Sequence, residues 1–168
     1  KHQGLTLLMV PANAPGLKIH EIRTMEAHTV NDLYFTDVEV PVDAVVGEPR
    51  NAWKHLMRGL NVERLIIATM SIGAAQRSLD DTIAFVKERE QFGRTISSFQ
   101  AIRHRIADLA TEIEYCRTFV YHVAERIDAG EEDSLDRQGS MAKLKCTEVA
   151  KKVALEAMQM MGGYGYTR

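Results

Sequence analysis

Proline is missing from everything after residue 50 of this 168-residue chain: Pro11, Pro15, Pro41 and Pro49 all stand before that point. A stretch without proline keeps every backbone donor and has no ring to clash with a preceding turn. Long unbroken helices are therefore allowed from about Ala52 onward. Cysteine is scarce too. Cys116 and Cys146 are too few for a disulfide scaffold and too widely spaced for a metal knuckle, which points to a reducing compartment. Neither sign of charge is in excess. The 21 Lys and Arg against 23 Asp and Glu give a net charge of −2, so no global field attracts a nucleic-acid backbone or an anionic membrane. No run approaches the ~20 apolar residues of a membrane span, and the first residues hold no basic-then-apolar signal. The expectation is a soluble protein, cytoplasmic or in the mitochondrial matrix of a eukaryote, with no nucleic-acid partner and no membrane span. Histidines at metal-ligand spacing, a Ser-His-Asp order, a Walker-type loop and internal repeats are all missing from the sequence.

What is present is enough for a folded domain. Hydrophobic residues make up 45% of the chain and charged residues 26%, which is ordinary globular composition. The first residue is Lys and the last, Arg168, directly follows a glycine-rich turn, so the chain reads as a piece of a longer one.

Two regions differ in pattern. Before residue 52 lie short β-rich runs, Leu5 to Val10 and Asp32 to Val40, the second alternating Leu33, Phe35, Val38 and Val40 around Asp37. Pro11 to Gly16 is turn chemistry between strands. Residues 1–51 are expected to be the end of an antiparallel sheet domain. Beyond them, three helices are predicted: about Trp53 to Glu90, Phe99 to Ile127, and Leu135 to Met161. The second carries Ile102, Ile106, Leu109, Ile113, Cys116, Val120 and Val123 at three-then-four spacing, one stripe on one face. Ser97 with Gln100 reads as a capping box at its start and Gly130 as its stop. The third carries Cys146, Val149, Val153, Ala157 and Met160 on a similar stripe, with Gly162 at its end. The fold class is thus α+β, mainly α: an antiparallel bundle of long helices over residues 52–168, preceded by a few antiparallel strands.

Three places could carry chemistry. From Gly59 to Gln76 the only charges are Glu63 and Arg64, and the helical neighbours of Glu63 are Gly59, Leu60, Ile66 and Ile67. A carboxylate leaving such a face would be desolvated and suited to general-base work; equally, it could pair with a cation from another helix and only fix packing. At the first helix's end, Arg89 and Arg94 stand near Arg103 and Arg105. Guanidinium forks beside the free amides of a new helix suit a phosphate or a pyrophosphate, although a solvated helix end has the same composition. Third, Gln159 precedes Gly162, Gly163 and Gly165, an arrangement that admits a flat ligand or simply makes a turn. Cys116, Cys146 and Met158, Met160 and Met161 read as core filling, and His104 and His122 as surface or satisfied residues.

Five segments in this order and spacing resemble the acyl-CoA dehydrogenase family over essentially the whole chain. They are Gly4 to Gly16, Asn31 to Pro41 with Gly47-Glu48, Leu60 to Arg64, Arg89 to Gly93 through Gln100, and Gln159 to Gly165. The resemblance implies FAD-dependent α,β-dehydrogenation of an acyl-CoA, with a glutamate taking the α-proton while the β-hydrogen leaves as hydride to the flavin. It implies that Arg89, Gln91, Phe92 and Gln100 hold the adenine and pyrophosphate part of an FAD belonging to a neighbouring subunit, and that Gln159, Gly162 and Gly163 contribute to the same task. A homo-oligomer follows, a dimer or a tetramer of paired dimers, with electron-transfer flavoprotein as electron acceptor. By the same resemblance Asn61 and Arg64 lie near the CoA chain and the reacting centre. Glu63 matches the base of isovaleryl- and long-chain types; most members carry theirs on a segment that would follow Arg168. Other readings of the same residues are an acyl-CoA oxidase, a flavin monooxygenase of the same fold, or a non-catalytic helical oligomerisation module. With much of the flavin site outside these residues, the fragment alone is expected to bind FAD poorly and not to turn over.

Overall fold

The computed structural model describes residues 4–25, 30–131 and 134–167. The chain divides into two compact units, residues 1–57 and 58–168.

In the first unit, β2 (Leu17–Ile22) and β3 (Val30–Phe35) pair antiparallel, with Leu17 opposite Phe35 and Ile22 opposite Val30. The two-residue strands β1 (Leu7–Leu8) and β4 (Val45–Val46) pair antiparallel as well. The strand expected over Leu5 to Val10 is thus only two residues long. That expected over Asp32 to Val40 begins earlier and stops at Phe35, because Asp37 sits at φ 50°, where an extended run cannot continue. Val38 and Val40 belong to no strand. Strand β2 has no counterpart in the sequence reading; its Leu-Lys-Ile-His-Glu-Ile pattern follows the proline turn directly. That turn is as expected, with the Ala14 N–H donating to the Pro11 carbonyl and the Leu17 N–H to the Ala14 carbonyl. Gly16, at φ 86°, is obligatory here, since a Cβ would fall 2.1 Å from the Thr36 carbonyl oxygen.

The second unit holds the bulk of three helices, α1 (Ala52–Glu88), α2 (Gln100–Asp128) and α3 (Ser134–Met161). A tight hairpin, β5 (Glu90–Gln91) with β6 (Arg94–Thr95), turns α1 toward α2. The helices share one core. Ala68, Ile72, Ala75 and Leu79 of α1 meet Leu109, Ile113, Cys116 and Val120 of α2 and Cys146, Val149 and Val153 of α3. Each fully buried Leu, Ile or Val contributes roughly 1.5–3 kcal/mol, and the alanines let the helices approach closely. Arg105, early in α2, donates to Glu156, late in α3, at 3.0 Å, while Lys152 donates to Glu112 at 2.6 Å. The order of the pairs is reversed along the two helices, which is antiparallel packing. Among the described residues, no helix is long and apolar enough to cross a membrane.

The ends of α2 are settled differently from each other. The capping box does not form: Ser97 lies in a 3₁₀ turn, Ile96–Ser98, its Oγ 3.1 Å from Thr95 Oγ1, and Phe99 occupies the cap position without a side-chain hydrogen bond. The extra turn displaces Ser97 from the geometry that capping requires. At the other end Gly130 takes φ 83°, with its N–H on the Ile127 carbonyl and that of Glu131 on the Arg126 carbonyl, a Schellman closure.

Candidate functional site

Where α1 ends, the chain reverses over two residues. Phe92 and Gly93 both have positive φ, 55° and 76°, with Gln91 paired to Arg94, which is the backbone of a type I′ hairpin. A bulky residue in that region costs about 1 kcal/mol. Phe92 is 93% exposed, its ring edge-on to Phe99 at 6.2 Å between centroids. The Arg94 guanidinium lies over the same Phe99 ring, 4.0 Å from its centroid.

Beside this hairpin α3 ends, and its glycines form a 3₁₀ turn, Gly162–Tyr166. Gly165 presses on the end of the helix: a Cβ there would stand 2.6 Å from the Met158 carbonyl oxygen. The ends of the two helices border an open cavity of about 530 Å³. Phe85, Arg89 and Gln91 line one side, Ile96 adds an apolar patch, and Gln159 to Tyr164 with Thr167 form the rest. Five residues predicted for a nucleotide are therefore brought together from segments about 70 positions apart: Arg89, Gln91, Gln159, Gly162 and Gly163. Phe92 and Gln100 are exposed on the same turn and at the first position of α2, outside the cavity lining. The predicted convergence of arginines is reduced to one at the cavity. Arg94 stacks on Phe99, Arg105 is taken by Glu156, and Arg89 lines the wall.

Arg89 is the electrostatic feature of the cavity. No ion pair among the described residues engages it, though Glu88 and Glu90 flank it in sequence. Its guanidinium lies 5.6 Å from the Tyr164 ring centroid instead. A fork of N–H donors, an amide side chain and a glycine backbone around a space of this size fit a nucleotide's phosphates and a flat ring. Sequence reasoning treated Tyr164 only as part of the glycine turn and did not single out Phe85 or Thr167; no periodic signal marks them.

The other predicted site lies on α1. Asn61 is 8% exposed and bonded through both atoms of its amide, the nitrogen donating to Asp136 of α3 while the oxygen accepts from Arg64. Asp136 was not foreseen, because the contact joins positions 75 apart. Glu63 is exposed, so the apolar enclosure expected around it is not made by these residues. The reason is geometric: Ile66, one turn on, is itself 53% exposed, and the core stripe of α1 runs through Ala68, Ile72 and Ala75. No ion pair among the described residues engages Glu63 either.

A second cleft of about 380 Å³ lies between α2 and α3, lined by Tyr115, Cys116, Phe119, Met141 and Cys146 with Glu112 and Lys145. Burial pushes the Cys146 thiol up to about 12 and raises Cys116 as well, which removes thiolate character at neutral pH. Both cysteines are core residues, as read from the sequence. Among the described residues no cluster of His, Cys, Asp and Glu could hold a metal.

Residues 52–168 match the family model of the acyl-CoA dehydrogenase C-terminal domain. The caffeyl-CoA reductase-Etf complex subunit CarC of Acetobacterium woodii is 35% identical, over 99% of this chain and 44% of its own length. The crystal structure of an acyl-CoA dehydrogenase from Geobacillus kaustophilus superposes with a TM-score of 0.91 at 39% identity, covering 99% of this chain and 44% of that one. A structure described as PigA with FAD and proline superposes with a TM-score of 0.87 at 25% identity, covering 98% and 43%. The chain spans less than half the length of these relatives. A model match over more than two thirds of the residues, and a shared fold that extends through the short strands, together place this chain in the acyl-CoA dehydrogenase family.

Proposed function

We propose that this chain is part of an FAD-dependent acyl-CoA dehydrogenase, with residues 1–51 ending its middle β-domain and 52–168 forming most of its helical domain. The observation that carries the reading is the cavity where α1 and α3 end. There Arg89, without a carboxylate partner among the described residues, meets Gln91, Gln159, Gly162 and Gly163. Arg89 and the two glutamines would hold the phosphates and adenine, and the glycines would let the backbone approach them. Phe92 and Gln100, outside that lining, would touch the same nucleotide from its open side. A nucleotide reached from solvent in this way is accessible to a second copy of the chain, which supports a homo-oligomer with shared cofactor sites. Bound FAD supplies a ring that accepts a hydride equivalent.

Glu63 is the candidate for taking the α-proton, and its exposure leaves the carboxylate open to a substrate. Asn61 is held rigid by Asp136, and it in turn fixes Arg64 one turn away, toward an acyl-CoA. Electron-transfer flavoprotein is the proposed acceptor, supported by a 35% identical relative that is a subunit of an Etf complex.

In the full-length protein, Arg89→Ala is expected to weaken FAD binding about 10- to 100-fold, the cost of one charge-assisted contact. Unchanged affinity would remove the cavity from the cofactor site. Glu63→Gln should abolish dehydrogenation while leaving FAD bound; full activity would assign the base to a residue outside this chain. The reduced protein should persist in air, and fast reoxidation would favour an oxygen-using oxidase or monooxygenase.

A further inference from the structure

We propose that Tyr164 is a positioning residue for the nucleotide's phosphates, acting through Arg89. The proposal rests on the cofactor reading above and adds a residue to it. An arginine at an exposed helix end has many rotamers, and two neighbouring acids, Glu88 and Glu90, could draw it away from the cavity. The geometry shows another arrangement: the Arg89 guanidinium stands over the Tyr164 ring, 5.6 Å from its centroid. A guanidinium on a ring face keeps its N–H donors available in its own plane, and a ring, unlike a carboxylate, does not neutralise it. The charge therefore remains for an anion in the cavity that both residues line.

Tyr164 is itself held from two sides. Its ring packs on Phe85 at 5.8 Å between centroids, one helical turn before Arg89. Its backbone is fixed by the 3₁₀ turn, where the Thr167 N–H and hydroxyl both donate to the Tyr164 carbonyl, at 3.3 and 3.2 Å, and where Gly165 abuts the Met158 backbone. The tyrosine thus ties the end of α3 to the end of α1 through a ring-to-cation contact, and Gly162 at φ 59° begins the turn that makes it possible.

The test is a titration of full-length apo-protein with FAD, followed by flavin fluorescence at two salt concentrations, in a cycle of Tyr164→Leu, Arg89→Ala and the pair. Tyr164→Leu should weaken binding roughly three- to tenfold and flatten its salt dependence, whereas Tyr164→Phe, which keeps the ring, should stay within about twofold of the parent. In the Arg89→Ala background Tyr164→Leu should add less than about twofold. An equal loss in both backgrounds would mean that the ring acts without Arg89 and would overturn the proposal, as would a Tyr164→Leu protein with parental affinity. Arg89→Ala alone having no effect would instead overturn the cofactor reading beneath it. Should Tyr164→Leu fail to fold, Tyr164→Gln, which leaves a polar chain at this 63% exposed position, replaces it with the same expected losses.

Discussion

At the scale of single residues, two positions show why close approach matters more here than residue class. Gly165→Ala would force a Cβ to within 2.6 Å of the Met158 carbonyl oxygen, and backbone cannot swing aside as a side-chain tip can. The expected cost is about 1–3 kcal/mol, read as a lower midpoint in thermal unfolding, with nucleotide affinity falling alongside because the same turn lines the cavity. An unchanged melting temperature would show that the turn relaxes. Asn61→Ala strips partners from Asp136 and Arg64 at a buried position and should cost about 1–3 kcal/mol in urea unfolding. Because Asn61 and Asp136 share one contact, adding Asp136→Ala should cost less than the sum of the single losses. Strict additivity would mean that the hydrogen bond contributes nothing. The family resemblance marked Asn61 within the Leu60 to Arg64 segment, yet nothing in the sequence pointed to Asp136, since the bond depends on how α1 and α3 pack.

At the scale of elements, the cysteine pair makes a testable statement about α2 and α3. Burial holds the Cys146 thiol neutral up to about 12, against an ordinary value of 9.0. Its folded form therefore keeps a proton that the unfolded chain releases, and the sign follows: stability is fully present below about pH 9 and falls as pH rises from there toward 12. Cys146→Ala should lower stability at pH 7 by ~1 kcal/mol and make the decline above pH 9 shallower. Parallel declines in the two proteins would assign the alkaline loss to other groups. The helices themselves were legible. Ile102, Ile106, Leu109, Ile113, Cys116, Val120 and Val123 sit at helical spacing, and α2 buries the later five. The strands were less so, because β2 and β3 are exposed along nearly their whole length and carry no alternating buried face. Ser97 failed as a cap for a similarly local reason: a 3₁₀ turn, invisible to a spacing rule, precedes the helix.

At the scale of the whole molecule, the chain represents less than half the length of its relatives, and the cavity where α1 and α3 end, proposed above for the nucleotide, is open. A cofactor held by one corner lacks the enclosure that excludes water and completes its contacts. Residues 1–168 alone are therefore expected to retain no flavin absorbance after desalting and to show no dehydrogenation, whereas the full-length protein retains both. Flavin kept by the isolated residues would show that this corner suffices without a second copy or further domain.

The sequence by itself determined the helical bundle, its turn points and its family resemblance, because periodic burial and glycine placement are local properties that a linear pattern records. Tertiary structure alone decided that Arg89 and Gln91 share a cavity with Gln159 and Tyr164, that Asn61 is bound to Asp136, and that Glu63 stands in the open. These depend on the rotation and register of whole helices against one another. Packing of the complete core sets both, and no short stretch of residues encodes them.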